Sequence, residues 1–312
     1  MPSKTKHLAE NALMLGIALV LLFLSTYTIL GGLVSFLIPL PFILLAVNRT
    51  VPNMVWISLA FTFLGWIITG PLAAVFAFSN AVWGSIMGIV YQKKESALPA
   101  IVAGAGVAFL SVVSLLAFMA FGMNVDFNAI MQKASELRSV MMPKGEYDQL
   151  IAQGKIVLPT SIVIFSFISS AIIHGLASLI GRRLRRPIPA LKPIREWSFP
   201  RSLLYYYFIT MISILLFAES MQGTFWEIAL MNLKVMLDAI FVLQGLSFCL
   251  FAAYLYGWKG WTIALVVCLF ILLPPSILPT ILTALSLVLS LVGIFDLGIR
   301  LREKLETRVK RG

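Results

Sequence analysis

Apolar residues along this chain fall in long unbroken runs, not in the short alternating strands of a barrel wall. The runs are Leu8–Leu30, a short Gly32–Val47, Met54–Gly70, Pro71–Tyr91, Ala97–Gly122, Val157–Ile180, Ser202–Ala218, Ile228–Tyr256, a short Gly260–Leu273 and Ser276–Gly298. A helix needs about 20 apolar residues to cross roughly 30 Å of hydrocarbon. The pattern predicts an all-α, polytopic helical membrane protein with about ten transmembrane segments, the two short runs being candidates for a re-entrant segment. The first run is too long for a cleavable signal, and no small-residue cleavage site follows it.

Polar residues divide these runs into units. The stretch "GRRLRRPIPALKPIREWSFPR", residues 181–201, interrupts the grease with arginines and with Pro187, Pro189, Pro193 and Pro200, which stop a helix from continuing. The expected organisation is a six-helix unit over 1–180, a basic proline-rich linker over 181–201, a four-helix unit over 202–298 and a basic tail over 299–312. Within the first unit, Phe127, Ile130, Met131, Ala134, Leu137 and Met141 recur at helical spacing. They predict an amphipathic segment over 124–156 that lies on the outer face or covers a cavity.

Composition agrees with immersion in lipid: 60% of the 312 residues are hydrophobic, 12% are charged, and mean hydropathy is +0.97. The net charge of +11 is explained by topology, which removes nucleic acid as a partner. With the N-terminus inside, 19 Lys and Arg fall in cytoplasmic stretches and four in outer ones. The positive-inside rule then places both termini in the cytoplasm, and the expected location is a bacterial plasma membrane. Arg182, Arg183, Arg185 and Arg186 are expected to meet anionic lipid head groups, each worth about 1 kcal/mol near the surface. Cys249 and Cys268 sit inside apolar runs and read as packing residues, with no disulfide framework or metal motif.

Small residues give the first unit its packing signal. Gly84 and Gly88 form a GxxxG pair, and Ala100, Gly104 and Ala108 line one helix face. Polar residues within spans are the functional candidates. Tyr27, Ser79, Asn80 and Ser166 are candidate ligand contacts, with a pocket expected between the first, fourth and sixth helices near Tyr27, Asn80 and Ser166. Each also has a plain reading as a helix-to-helix or back-bonded contact. His174 reads as a packed, satisfied histidine. Lys234 and Asp238, four apart, are expected to form an intramembrane ion pair, with Asn232 and Gln244 nearby. Asp296 and Arg300 are expected to pair likewise. No HExxH, Walker or GxSxG pattern is present, so neither enzyme activity, nor a cofactor, nor a metal is expected.

A long first helix is followed by "GLVSFLIPLPFILLAV", the turn "NRTVP", two more helices, "YQKKES" and a small-residue fifth helix. This succession resembles the substrate-binding S-components of energy-coupling-factor vitamin transporters over residues 8–180. The whole chain resembles the YybS-type family of bacterial membrane proteins. The resemblance implies a six-helix bundle with a pocket open to the outside, and a small-residue face on the first helix, here Ala9, Ala12 and Gly16, that meets a partner. The four further helices depart from the S-component plan. The bundle also resembles the MreD-like proteins of the cell-shape machinery. The expected function is therefore binding of a small hydrophobic or vitamin-like molecule, for uptake with partner proteins. The alternative is a non-transporting scaffold that recruits other membrane proteins.

The charge count has a direct test. In a cysteine-free background, Lys93→Cys and Ala190→Cys are expected to react only with membrane-permeant maleimides, and Gly145→Cys with impermeant ones. Labelling of position 190 from outside intact cells would reverse the orientation.

Overall fold

Every regular element among the described residues is helical, as hydrocarbon demands of a chain whose backbone polar groups have no water to turn to. The computed structural model describes residues 4–94, 96–127, 129–130, 133, 144–186, 188–258 and 278–309. The helices are α1 (Lys4–Tyr27), α2 (Gly31–Ser35), α3 (Pro39–Ala46), α4 (Val51–Thr69), α5 (Pro71–Lys93), α6 (Ala97–Ala117), α7 (Lys144–Arg183), α8 (Ser202–Met221), α9 (Phe225–Leu255), α10 (Leu278–Ile299) and α11 (Leu301–Val309). A π-helical turn, Phe118–Gly122, follows α6. Among the described residues, seven helices are long and apolar enough to cross a membrane, or eight if the bent pair Thr283–Ile299 and Leu301–Thr307 counts as one span. The chain is thus an all-α polytopic membrane protein.

The expected ten spans are not all present as single helices among the described residues. The second run is two short helices, α2 and α3, and the ninth run lies outside the described residues. Of the amphipathic segment expected over 124–156, residues 128, 131–132 and 134–143 lie outside them too; its last part, from Lys144, is continuous with the sixth span as the 40-residue α7. Cys249 is exposed on α9, not packed inside it.

Two compact units separate by contact: Met1–Leu150 with Ile162–Leu191, and Ile151–Ser161 with Lys192–Gly312. In the first, Tyr27 at the end of α1 meets Ile68 at the end of α4, and Arg49 after α3 meets His7 and Asn11 at the start of α1. The broken pair α2–α3 therefore carries the chain from one end of the bundle back to the other. Pro39 and Pro41 sit in the first turn of α3, where a missing N–H costs nothing. Every residue of α3 is buried. Without a hydrophobic drive between helices in lipid, such burial relies on close packing. Gly84 and Gly88 supply it: a Cβ at Gly84 would strike the Pro39 carbonyl, and one at Gly88 the Ile43 carbonyl and Ala46. Phe42 and Phe61 stack at 4.9 Å in the core beside Ala18, Leu22, Ala77 and Ala81.

The second unit is organised on α9 and α10, which touch backbone to backbone. A Cβ at Gly245 would collide with the Leu289 carbonyl, and one at Gly293 with the Phe241 carbonyl. Part of the basic strip is bound to this unit. Ser247 Oγ reaches the Trp197 carbonyl at 2.7 Å, and Phe199 N–H donates to Gln244 Oε1 at 3.1 Å. Arg302 donates to Asp296 Oδ2 at 2.9 Å, to Ser247 Oγ at 2.9 Å and to the Arg195 carbonyl at 3.1 Å. Arg195 in turn stacks on the Tyr254 ring at 4.0 Å.

The expected Asp296–Arg300 pair does not form. Arg300 has a positive φ of 52° and marks the break where α11 turns away by 73°, so the i,i+4 geometry of a straight helix is lost there. Arg300 pairs with Glu303 instead, and Arg302 takes Asp296.

Close backbone contact predicts intolerance to one added methyl. Gly245→Ala and Gly293→Ala are each expected to lose about 1–3 kcal/mol, as over-packing does, measured by unfolding in mild detergent. Gly106→Ala, with open space around it, is the control expected to lose nothing.

Candidate functional site

Hydroxyls in these helices mostly satisfy themselves. Ser and Thr side chains can donate to the carbonyl one turn back, at i−3 or i−4. Thr26 does so to Leu22, Thr62 to Ser58, Ser111 to Val107 and Ser166 to Ile162, at 2.7–2.9 Å. Against that background, three buried polar groups in the first unit have no partner among the described residues: Trp83 Nε1, Ser169 Oγ and Ser170 Oγ.

Trp83 and Ser169 line the same cavity. It has a volume of about 140 Å³ and lies among the α2–α3 turn (Ser35, Phe36), α5, α6 and α7. Phe36, Phe76, Phe165 and Leu115 make much of its apolar wall, and Ser79 and Asn80 belong to it. Among the described residues, no Asp, Glu, Lys, Arg or His lines it. Asn80 is only 5% exposed; its Nδ2 donates to the Phe76 carbonyl at 2.9 Å, and no hydrogen bond to its Oδ1 forms among the described residues. Gly104 on α6 lets the indole approach: a Cβ there would stand 3.0 Å from Trp83 Nε1.

The cavity differs from the expected pocket in its walls. The first helix takes no part. Tyr27 is 58% exposed at the end of α1, where its hydroxyl donates to the Ile68 carbonyl at 3.3 Å. Ser166 is buried but back-bonded, and it is not among the residues that line the cavity, as Ser169, three residues on, is. Trp83 is the group that sequence reasoning passed over; Ser169 stands with Ser166 and Ser170 among the hydroxyls of the sixth helix that the sequence offers as contacts. Nothing in a sequence marks a serine that is not back-bonded, and a tryptophan in an apolar run reads as packing.

At the end of the first unit that holds the start of α1 lies a second feature. Arg49, its side chain only 6% exposed, donates to Asn11 Oδ1 at 3.0 Å and to Glu10 Oε2 at 2.8 Å, and contacts His7 Nδ1. Gln92 braces the same turn through the Ala46 and Arg49 carbonyls, at 2.5 and 2.8 Å. Arg186 takes the other oxygen of Glu10 and also donates to Asn48, whose amide turns its oxygen to the guanidinium. Burial pulls the pKa of Arg49 below its usual value, because desolvation disfavours the charge. Of the four arginines expected at lipid head groups, Arg182, Arg183 and Arg185 are exposed, while Arg186 is turned inward onto Glu10.

His174 is buried and shares a 2.7 Å hydrogen bond with the Tyr91 hydroxyl. In the second unit, Lys234 Nζ and Asp238 Oδ2 pair at 2.6 Å, each side chain about a third exposed. Gln244 is not near them; it donates to Asp296 at 2.5 Å. Asn232 bridges the α7 backbone beside Pro159. It accepts from Thr160 N–H and Oγ1, at 3.3 and 2.7 Å, and donates to the Ile156 carbonyl at 2.8 Å. These are the two backbone groups that a regular helix would pair with each other.

Glu10 is the one carboxylate among the described residues shared by two guanidiniums, so its loss exposes their mutual repulsion. Glu10→Gln is expected to cost roughly 2 kcal/mol of unfolding free energy, in the range for hydrogen bonds to charged groups. Thermal unfolding of the purified protein would measure it, with the exposed Glu303→Gln as the near-neutral comparison.

The chain matches the family model described as "Predicted membrane protein (DUF2232)" over residues 15–297. It is 27% identical to "Uncharacterized protein YybS" of Bacillus subtilis (strain 168), over 97% of this chain and 99% of that protein. No solved structure matches it. A match that runs from within α1 to near the end of α10 covers most of both units, and on it the chain belongs to the DUF2232 family of predicted membrane proteins.

Proposed function

We propose that the first unit binds a small, neutral, largely apolar molecule in the cavity among α5, α6, α7 and the α2–α3 turn. The carrying observation is the pair of buried groups without partners, Trp83 Nε1 and Ser169 Oγ, on the wall of an otherwise apolar space. Leaving such a group unpaired costs about 1–3 kcal/mol, and a ligand acceptor would relieve that cost. Mostly apolar pockets with a few convergent polar groups are the usual small-molecule sites. A cavity of about 150 Å³ accommodates benzene, so this one suits a single ring. The uncharged wall disfavours a carboxylate. Trp83 would donate to a carbonyl of the ligand, and Asn80 Oδ1 would accept from a ligand N–H or O–H.

In this reading the protein binds and does not catalyse. It lies in a bacterial plasma membrane with both termini and the arginines of the strip in the cytoplasm. Uptake of the bound molecule would require partner proteins, since the sequence has no nucleotide-binding motif. One observation favours the second reading, a membrane scaffold. On α8 only Thr210 is buried, and Tyr205, Tyr206, Ile209 and Leu215 are open to lipid or to another membrane protein.

Benzamide, a neutral ring with both an acceptor and a donor, is a suitable probe. It is expected to raise the melting temperature of the purified protein, while benzoate is not. Trp83→Phe should weaken benzamide binding about tenfold, the equivalent of one hydrogen bond of roughly 1.4 kcal/mol. Asn80→Ala should weaken it similarly, with at most about 0.6 kcal/mol lost from the unliganded protein. Equal effects of benzamide and benzoate, or binding unchanged in Trp83→Phe, would refute the site.

A further inference from the structure

The cluster around Glu10 is not closed. Lys6, His7, Glu10, Asn48, Arg49 and Arg186 line an open cavity of about 490 Å³ at that end of the first unit. Three of the six are cations at neutral pH and one is an anion. The positive charge is not spread on a solvated surface. Arg49 is nearly inaccessible, and the Arg186 side chain is 17% exposed. Taking two guanidiniums out of water is costly, and a single carboxylate divided between them compensates only part of the charge. Glu10 gives one oxygen to each.

Donor counting points the same way. A guanidinium has five N–H groups. Among the described residues, those of Arg49 go to Asn11, His7, Glu10 and the His7 carbonyl, which leaves one on Nη1. Arg186 there spends one on Glu10 and one on Asn48, which leaves three. The cluster therefore has surplus donors as well as surplus charge: Arg186 keeps the planar pair that bidentate oxyanion recognition uses, and Arg49 adds one N–H. The framework is rigid. Arg49 follows a fully buried helix and is braced by Gln92 from α5, and Arg186 closes α7.

We infer that this cavity is a binding site for a phosphate-bearing anion, held by Arg49 and Arg186 with Lys6 at its mouth. A phosphate group offers several acceptor oxygens and the missing negative charge. Glu10 sets the guanidiniums in place and keeps the unliganded site from being too strongly charged. Glu10 already spends both its oxygens on the two arginines, and the further oxygens of a phosphate can take the N–H groups it leaves on each. The anion has two possible sources, the head group of an anionic lipid and a soluble phosphate compound, which share this chemistry.

The test uses the full-length protein, purified and stripped of lipid in a neutral detergent. Its melting temperature is followed against inorganic phosphate, with chloride at equal ionic strength as reference, and against short-chain phosphatidic acid, with phosphatidylcholine as reference. Stabilisation that saturates with inorganic phosphate assigns a soluble phosphate ligand. Stabilisation by phosphatidic acid alone assigns a lipid head group. Either effect should weaken about tenfold in Arg186→Gln and severalfold in Lys6→Gln. Lys6 is exposed at the start of α1, so its variant keeps the fold if the arginine variant does not. Arg183→Gln, outside the cavity, should leave the effect unchanged. No stabilisation by either probe overturns the inference, as does stabilisation that persists undiminished in Arg186→Gln and Lys6→Gln.

Discussion

In hydrocarbon a backbone N–H or C=O that is not bonded within the protein is bonded to nothing, and the rest of this structure depends on that constraint. It explains why the elements are helices. It also explains what happens where a helix is interrupted. The α2–α3 break lies against α5, whose glycines bring the two backbones together, and every residue of α3 is enclosed by protein. At Pro159, where α7 contains a residue with no N–H to offer, the side-chain amide of Asn232 stands between the neighbouring backbone groups and serves both. The same constraint disposes of the hydroxyls. One turn back along their own helices, many serines and threonines find a carbonyl; Ser169, on the cavity wall, finds no partner among the described residues, and there a ligand has something to gain.

How far the sequence was legible follows from the range of each interaction. Helix class and most spans come from runs of apolar residues and need only local information. Gly84 and Gly88 were visible as a packing pair because both lie on one helix, four residues apart. Gly245 and Gly293 were not, since each finds its contact on the other's helix and neither forms a motif with its own neighbours. Of the candidate contacts, Ser79 and Asn80 do line the cavity. Ser166 and Ser169 are alike in sequence, and only the fold shows that the first is bonded to Ile162 and the second is not.

Charges show the same division. Counting lysines and arginines by loop predicts sidedness, which is a bulk property, but it treats every arginine alike. Arg186 was grouped with its neighbours in the strip, yet it turns to Glu10 on a helix far away in sequence, as does Arg49. Spacing also misleads where a helix ends. Asp296 and Arg300 have the separation of a helical ion pair, but the turn at Arg300 hands the carboxylate to Arg302.

The link from Glu10 to Arg186 has a consequence for assembly. A chain enters the membrane from its N-terminus, and its segments fold in that order. Glu10 arrives with the first helix, Arg49 after the third, and Arg186 only when the last helix of the first unit has been made. The carboxylate therefore spends synthesis half-neutralised, and its final partner closes the ring of helices by joining the newest to the oldest. The first unit then has a built-in end point: a nascent chain stopped before residue 186 would hold most of its spans and still lack the contact that fastens them.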